Sequence, residues 1–218
     1  FKNQSGSSFS IVKKIGLSSS PEGYHHVDIA FKDYDNDGDM DIYLQDRLPT
    51  PEKDIATDTI LMNNTMQPYN DEILFEMKSP YIPKTGTHLG AGPITWTDYD
   101  NDGNSDIFFT YSKQGYNRLF RNLGNHKDYE ERAALEGVQG TFNQYDSWDA
   151  NAVWVDYDRD GDLDVHIPTA KWYHKLYRNS LYEKGSTHHW LQVSLRGAES
   201  NRDAIGARIE LRFADGQV

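Results

Sequence analysis

Three short segments concentrate the acidic side chains of this chain. They read Asp33-Tyr-Asp-Asn-Asp-Gly-Asp-Met-Asp41, Asp98-Tyr-Asp-Asn-Asp-Gly-Asn-Ser-Asp106 and Asp156-Tyr-Asp-Arg-Asp-Gly-Asp-Leu-Asp164, and are called loops 1, 2 and 3, each with positions 1 to 9. They hold five, four and five acidic residues, against 34 in the whole chain. Carboxylates packed so densely repel one another unless a cation neutralises them. The spacing therefore predicts metal sites.

The residue types within the loops predict calcium. Aspartates at positions 1, 3 and 5 of a tight loop direct their carboxylates inward, and glycine at position 6 permits the sharp turn. Oxygen ligands without His or Cys favour a hard cation, and a flexible shell of about six to eight oxygens favours Ca²⁺ over Mg²⁺. We predict three Ca²⁺ ions, one per loop, held by the side chains of positions 1, 3, 5 and 9 and the backbone carbonyl of position 7. The predicted ligands are Asp33, Asp35, Asp37, Asp39 and Asp41 in loop 1, Asp98, Asp100, Asp102, Asn104 and Asp106 in loop 2, and Asp156, Asp158, Asp160, Asp162 and Asp164 in loop 3.

Two other structures contain acidic loops, the EF-hand and the Asp-rich turn that caps a hairpin. An EF-hand needs a Glu at position 12 and flanking helices. Position 12 is here Leu44, Phe109 or Ile167, and the flanking residues favour strands, so an EF-hand is rejected. An Asp-rich turn that only caps a hairpin is the simpler alternative. Three loops in register count against it.

The loops sit inside a longer repeat, and their starts lie 65 and 58 residues apart. A short apolar segment precedes each loop and another follows it, too short for helices and rich in strand-forming residues, which predicts strand, acidic turn, strand. A third element follows, Leu119-Phe-Arg-Asn122 in one repeat and Leu176-Tyr-Arg-Asn179 in the next, with a weaker counterpart at 60–63. The apolar segments before the three loops are 27–31, 94–96 and 152–155, and those after the loops are 42–44, 107–109 and 165–167.

The repeat predicts an all-β fold built from β-propeller blades. About four strands in about 60 residues is typical of a blade. Phe1-Lys-Asn3 matches Phe120-Arg-Asn122, so the chain opens with the last strands of a repeat and holds about three and a half blades of an incomplete ring. The most plausible helical run, 129–135, is short.

The pattern changes near residue 188. Residues 189–195 and 207–213 alternate in polarity as strands do. We therefore predict blades over 1–187 and the start of a short C-terminal β module over 188–218.

The combination of motifs resembles a known family. Strand, Asp-x-Asp-x-Asp-Gly-x-x-Asp, strand is similar to the FG-GAP/VCBS repeats of integrin α-subunit propellers and of secreted bacterial proteins. Gly90-Ala91 with Trp96 before a loop, Leu-Phe/Tyr-Arg-Asn after it, and the downstream segments Trp190-Leu-Gln-Val and Asn201-Arg-Asp-Ala-Ile-Gly-Ala207-Arg resemble the ASPIC/UnbV, or cartilage acidic protein, family. This resemblance implies a secreted or surface-exposed propeller with structural Ca²⁺, used for adhesion, matrix or carbohydrate contact.

Composition excludes several classes of function. The net charge of −12 argues against nucleic acid and against an anionic membrane surface. No cysteine is present, so neither disulfides nor thiolate metal sites are possible. No apolar run approaches the roughly 18 residues of a membrane span. No signal peptide is recognised, and the start at Phe1 suggests a processed product or an internal segment.

Other candidate sites are weaker. Asn3 and Asn63 begin N-glycosylation sequons. The eight histidines show no metal-binding spacing. Trp96 and Trp154 occupy equivalent strand positions and are expected between blades, whereas Trp148 and Trp172 lie in loop-like segments where sugar contact is conceivable.

The sequence favours a non-catalytic module. No nucleophile elbow, phosphate-binding glycine loop or zinc-protease motif is present. We expect a calcium-binding extracellular propeller for adhesion, matrix or filament assembly, with a protein or glycan surface, or further copies of the chain, as partner. The alternative is a carbohydrate-active lyase or hydrolase with structural calcium. A cleft holding a basic residue and an acid that touch no metal would favour it.

Overall fold

The computed structural model describes residues 2–4, 8–10, 25–34, 39–47, 59–63, 75–78, 91–111, 116–124, 128–140, 151–168, 174–198, 201–205, 207 and 209. Within these ranges the chain is all-β and contains no helix, as predicted. It divides into two units, residues 1–188 and residues 189–218. The strands are β1 (Lys2–Gln4), β2 (Ser8–Ser10), β3 (His25–Lys32), β4 (Asp41–Arg47), β5 (Thr59–Asn63), β6 (Phe75–Lys78), β7 (Ala91–Thr97), β8 (Asp106–Tyr111), β9 (Arg118–Asn122), β10 (Tyr129–Glu131), β11 (Val153–Val155), β12 (Asp164–Ile167) and β13 (Lys175–Tyr177).

The strands form small antiparallel sheets in which neighbours in sequence are neighbours in space. Blade 1 has the strand order β3-β4-β5-β6, and blade 2 has the strand order β7-β8-β9-β10. Blade 3 comprises β11-β12-β13 among the described residues. The strands that flank each acidic loop pair with each other, and loops 2 and 3 are described in full, so the prediction of strand, acidic turn, strand is confirmed for loops 2 and 3. This meander is consistent with propeller blades.

The first sheet repeats the end of blade 2. In the β1–β2 pair Asn3 lies opposite Phe9, and in the β9–β10 pair Asn122 lies opposite Tyr129. These are the positions that the sequence repeat aligns. The chain therefore opens with two strands that pair as the last strands of blade 2 do.

The core lies between the blades. Along β8 the side chains alternate, because successive residues of a strand point to opposite faces. Ile107 and Phe109 belong to a buried cluster with Tyr43 and Met62 of blade 1. Phe108 belongs to a second cluster, which includes Val165 and Ile167 of blade 3. Blade 2 is thus covered on both faces.

The two tryptophans predicted to lie between blades do so. Trp96 packs against the cluster shared by blades 1 and 2, with its ring edge-on to Tyr43 at a centroid distance of 5.8 Å. Trp154 packs edge-on to Phe108 at 5.4 Å, and its Nε1 donates to Thr95 Oγ1 of blade 2 at 3.1 Å. The equivalent strand position therefore joins each blade to the one before it.

Two segments depart from the pattern of their local sequence. Residues 129–135 form β10 followed by a turn, in which Glu136 N donates to Arg132 O at 2.9 Å. Strand pairing with β9 and burial of Ala133 outweigh helix propensity there. In the second unit, residues 189–198 carry no strand. Alternating polarity describes a side-chain pattern, whereas a strand also needs a hydrogen-bonded partner. The second alternating segment, 207–213, lies mainly outside the described residues.

Candidate metal centre

The aspartate at position 1 builds the turn of its loop. Asp98 Oδ1 accepts from Asp102 N at 3.0 Å and Oδ2 accepts from Gly103 N at 3.0 Å. In loop 3, Asp156 accepts from Asp160 N at 3.1 Å and from Gly161 N at 3.2 Å. A short acidic side chain that caps nearby N–H groups in this way stabilises a tight turn. The position 1 carboxylate therefore holds its own loop in shape.

Two positions in each described loop have left-handed backbone. Gly103 and Gly161, at position 6, have φ of 86° and 96°, which confirms the predicted need for glycine. Position 4 is also left-handed, with φ of 54° at Asn101 and 64° at Arg159. The sequence reasoning missed position 4. The signal was present, because asparagine stands there in loops 1 and 2 and tolerates this conformation better than most residues.

The aspartate at position 9 is buried and joins its loop to the third strand of its blade. Asp41, Asp106 and Asp164 are each no more than 1% exposed. In every loop Oδ2 accepts from the backbone N–H of the position 2 tyrosine, and Oδ1 accepts from the backbone N–H of the asparagine that ends the Leu-Phe/Tyr-Arg-Asn motif or its counterpart. The bonds are Tyr34 N to Asp41 (2.7 Å), Tyr99 N to Asp106 (3.1 Å), Tyr157 N to Asp164 (3.2 Å), Asn63 N to Asp41 (2.6 Å), Asn122 N to Asp106 (2.8 Å) and Asn179 N to Asp164 (2.8 Å).

The side chain of the same asparagine also binds the loop, through a second hydrogen bond. Asn63, Asn122 and Asn179 donate through Nδ2 to the position 8 carbonyl of their own loop, at 3.2, 3.2 and 3.3 Å. This role was missed, because the sequence showed the motif but not its contacts. It also bears on the predicted glycosylation of Asn63, since Nδ2 is the atom that would carry the sugar. That prediction stays untested, and the bond to Met40 O counts against it.

Three of the predicted ligands come together in each fully described loop. One carboxylate oxygen each from Asp98, Asp100 and Asp106 lies within 4.8 Å of the others. Asp156, Asp158 and Asp164 form the same group in loop 3. These are positions 1, 3 and 9 in both cases, and the spacing suits a single cation bound to several oxygens. In loop 1, Asp35 and Asp37 lie outside the described residues, as do Trp148 and Trp172.

The electrostatics of the group favour a cation. Burial, with nearby Asp100 and Asp102, raises the pKa of Asp106 to about 8, against the hydrogen bonds from Asn122 and Tyr99. Burial also raises the pKa of Asp98, Asp100 and Asp164, and neighbouring carboxylates add to each effect. Ionised carboxylates are thus costly in this place, and a bound cation would remove that cost.

Buried oxygens without partners provide the test of fit. Asp100 Oδ1 and Asp162 Oδ1 are buried and accept no hydrogen bond from the described residues. A buried carboxylate oxygen normally has a donor or a metal ion beside it. The donor set is oxygen only, so the residues present fit a hard cation such as Ca²⁺.

Positions 5 and 7 do not join the three-carboxylate group. Asp102 Oδ1 accepts from Asn104 N at 2.8 Å, and Asp160 Oδ1 accepts from Asp162 N at 3.3 Å. The Asp162 side chain is buried and accepts from Leu181 N at 2.9 Å, which ties loop 3 to the segment after β13. The structure therefore gives these side chains roles within the protein.

An arginine that the sequence reasoning did not assign contacts positions 3 and 5. Arg121 pairs through Nε with Asp100 and through a terminal nitrogen with Asp102 at 3.1 Å. Arg178 pairs with Asp158 at 2.7 Å and with Asp160 at 3.1 Å. Both arginines belong to the Leu-Phe/Tyr-Arg-Asn motif, so the motif places a cation beside each of these loops.

Loops 2 and 3 are hydrogen-bonded to each other. Asn101 Nδ2 donates to Gly161 O at 2.8 Å, and Asn179 Nδ2 donates to Tyr99 O at 2.8 Å. His188 Nδ1 also lies 2.8 Å from Asp100 O. The two candidate sites are therefore parts of one continuous polar network.

A cleft of about 220 Å³ lies beside this network, between blades 2 and 3. Its lining includes Arg132, Glu136, Lys184 and His188. Arg132 pairs with Glu136 at 2.9 Å, and Lys184 lies 3.4 Å from the same carboxylate. The cleft thus holds a basic residue and an acid outside the three-carboxylate groups, but they are paired with each other.

Comparison with known families agrees with the repeat. Residues 98–167 match the model of the FG-GAP-like repeat. The matched segment begins at position 1 of loop 2 and ends with β12, so it contains both groups of converging aspartates. No curated protein matches the chain. Within the described ranges, no helix has the length and apolar character that a membrane crossing requires.

Proposed function

We propose that the chain is a calcium-binding, extracellular β-propeller segment that acts in adhesion, matrix or filament assembly and not in catalysis. The observation that carries the proposal is the repeated convergence of positions 1, 3 and 9 in loops 2 and 3, beside buried carboxylate oxygens that accept no hydrogen bond from the described part of the chain. Ca²⁺ would supply positive charge that these oxygens lack. Oxygens of positions 1, 3 and 9 would hold it, and the position 7 carbonyl and water would complete the shell.

The proposed role of the ion is to stiffen the blade. Position 1 shapes the turn and position 9 joins it to the third strand, so an ion held by both would link two parts of one blade. Extracellular modules bind Ca²⁺ with dissociation constants of about 10⁻⁴ to 10⁻³ M, which suits a compartment rich in the ion. FG-GAP-like repeats are typically extracellular, and the finer resemblance to the ASPIC/UnbV family supports the same location.

The experiment that tests calcium binding follows the melting temperature of chelated protein during titration with Ca²⁺. An ion that binds only the folded state raises stability, by about 2.7 kcal/mol per site at 100 times its dissociation constant. We expect a rise of several degrees for a chain of this size, roughly 2–4 °C per kcal/mol. Mg²⁺ at equal ionic strength is the control and should give less. An unchanged melting temperature at about 10 mM Ca²⁺ would refute the proposal.

Further copies of the chain are the partner that we propose for two exposed sheet faces. The face of blade 1 that carries Ile29 and Phe31 corresponds to the faces of blades 2 and 3 that pack on the preceding blade. The face of blade 3 that carries Val153 and Leu176 corresponds to the side of blade 2 that packs on the following blade. The two exposed faces are therefore equivalent to the two faces that pack together between successive blades, so the face of blade 3 in one copy could pack on the face of blade 1 in another.

A carbohydrate-active enzyme is the second candidate, and the cleft beside Arg132 is the observation that favours it. The mutual pairing of Arg132, Glu136 and Lys184 favours a packing role instead. Incubation with anionic polysaccharides decides between them. Release of unsaturated or reducing ends that Arg132→Met abolishes would establish the enzyme.

A further inference from the structure

We propose that Asn101 and Asn179 couple the candidate calcium sites of loops 2 and 3, so that occupation of one loop raises the calcium affinity of the other. The inference rests on the proposed function, because it concerns the same two sites. It adds a regulation that neither loop motif contains by itself. The two loops would bind the ion as a pair, over a narrower range of Ca²⁺ concentration than two independent sites.

The first observation is the contact that Asn101 makes with blade 3. Asn101 stands at position 4 of loop 2, between the position 3 and position 5 aspartates. Its Nδ2 donates to Gly161 O, in loop 3, at 2.8 Å and to the hydroxyl oxygen of Tyr182 at 2.9 Å. Gly161 N in turn donates to Asp156, the position 1 aspartate of loop 3, at 3.2 Å. One side chain of loop 2 therefore binds the turn that a position 1 carboxylate shapes in loop 3.

The second observation is a contact in the opposite direction, from blade 3 to loop 2. Asn179 N donates to Asp164, at position 9 of loop 3, and Asn179 Nδ2 donates to Tyr99 O, in loop 2, both at 2.8 Å. Tyr99 N donates to Asp106, at position 9 of loop 2, at 3.1 Å. A continuous path of hydrogen bonds thus runs from one position 9 aspartate to the other, through two residues.

The third observation is the backbone that presents the Asn101 side chain. Its φ is 54°, in the left-handed region that asparagine accepts better than most residues. The preceding residue, Asp100, supplies one oxygen of the converging group of loop 2. The direction of the Asn101 side chain is therefore tied to the loop shape that brings the carboxylates together. A loop that loses this shape also withdraws Asn101 from its acceptor in loop 3.

The physical consequence concerns the cost of ordering each loop. The converged carboxylates repel one another and are partly desolvated, which disfavours the converged arrangement in a loop without an ion. Loop 3 in its converged shape holds Asn101 and Tyr99 of loop 2 in place, and loop 2 does the same for Gly161 and Asn179. A loop that its neighbour already holds has less conformational entropy to lose on binding. The coupling is reciprocal by thermodynamic necessity.

The Coulomb interaction between the two sites acts against this coupling. Each bound ion reduces the negative potential that attracts the second ion. Salt screens this effect over about 8 Å at physiological ionic strength, whereas partly buried hydrogen bonds such as these two are screened much less. We therefore expect the net coupling to be positive at physiological salt and to become stronger at about 0.5 M KCl.

The test reads each loop separately by NMR during titration of the whole chain with Ca²⁺. Gly103 N and Gly161 N donate to the position 1 aspartates of their own loops, so their amide resonances report the occupation of loops 2 and 3. Asp158→Asn impairs loop 3 and is read at Gly103, and Asp100→Asn impairs loop 2 and is read at Gly161. The loop that fills second in the wild type should bind about tenfold more weakly when its neighbour is impaired.

The variant Asn101→Gly tests the path itself. Glycine keeps the left-handed backbone and removes only the side chain. The tenfold dependence between the loops should fall to about threefold, because the Asn179 contact remains. Arg159→Gly is the matched control, since Arg159 occupies position 4 of loop 3, with φ of 64° and an exposed side chain. It should leave the tenfold dependence unchanged. Circular dichroism of each calcium-free variant confirms that it is folded.

The outcomes distinguish the two proposals. Absence of calcium-dependent shifts at both glycines of the wild type refutes calcium binding, and the coupling with it. Shifts in the wild type with midpoints that neither neighbour variant weakens overturn the coupling and leave the proposed function standing. A midpoint that tightens when the neighbour is impaired also overturns the coupling, in favour of repulsion between the ions. An unchanged tenfold dependence in Asn101→Gly overturns the role assigned to that side chain.

Discussion

At the scale of single residues, the position 9 aspartate has a structural role that is independent of any ion. Each of its oxygens accepts a backbone N–H, one from the loop and one from the third strand. Both donors are in or next to buried structure, where an unpaired N–H group is costly. This carboxylate therefore stabilises the blade with or without calcium. Among the described residues, the position 5 aspartates Asp102 and Asp160 bond to their own loop and to the arginine.

Replacing Asp106 by alanine should destabilise the chelated protein by about 2–4 kcal/mol, because two backbone N–H groups lose their acceptor. Replacing Asp102 by alanine should cost only about 1 kcal/mol under the same conditions, since its partners are partly exposed. Chemical denaturation in chelator measures both. Equal losses for the two variants would contradict a structural role specific to position 9.

Positions 1, 3 and 9 of the predicted ligand set converge in loops 2 and 3, but the sequence did not predict all of the contacts that these aspartates make. Spacing within nine residues is local, so turn geometry and glycine at position 6 could be predicted. The partners of position 9 lie 15 to 22 residues further along the chain. Their contact depends on the register between the second and third strands, which the sequence pattern does not fix. The arginine bridge was missed for the same reason.

At the scale of elements, one strand position behaves differently in different blades. Phe108 in β8 and His166 in β12 are equivalent residues, since each is the eleventh residue counted from the start of its acidic loop. Phe108 is 0% exposed between blades 2 and 3, whereas His166 lies on the open face of blade 3 beside His174, with ring centroids 5.6 Å apart. The difference in residue type follows the difference in burial.

Phe108→Ala should therefore lower the free energy of unfolding by about 3–5 kcal/mol, because it leaves a cavity between two blades. His166→Ala is the matched control and should cost less than about 1 kcal/mol. Denaturant titration gives both values. A comparable loss at the two positions would mean that the open face of blade 3 is covered in solution.

Strands were predictable where a local pattern and a pairing partner agree. The segments that flank loops 2 and 3 pair with each other across the loop, so local sequence was sufficient. Residues 129–135 and 189–195 depart from their local sequence patterns for opposite reasons. In the first, pairing with β9 imposed a strand on a run with helix propensity. In the second, an alternating pattern is present and no strand is formed.

At the scale of the whole molecule, blades 1 and 3 each carry exposed apolar side chains on one face. Leu119 is 1% exposed, and its equivalent Leu176 is 53% exposed; Phe31 is 60% exposed, although Trp96 and Trp154 at its position pack against a neighbour. Exposed apolar surface of this kind marks interaction sites.

Sedimentation velocity at rising protein concentration tests the proposed contact between copies. We expect association of the wild-type chain and its loss in Leu176→Asp or Phe31→Asp, because a buried unpaired charge is strongly unfavourable. Leu135→Asp is a matched control, since this leucine is exposed in the turn after β10 and should leave association unchanged. A wild-type chain that stays monomeric at about 100 μM would contradict the proposal.

The contacts that close each blade also have a consequence for the order of folding. The position 9 aspartate reaches back seven residues to the tyrosine and forward 15 to 22 residues to the asparagine. The links between blades span far more chain, 59 residues from Thr95 to Trp154 and 66 from Asp28 to Ile94. Short loops close faster and at lower entropic cost than long ones. We therefore expect each blade to form as a local unit during synthesis and to dock onto the preceding blade afterwards.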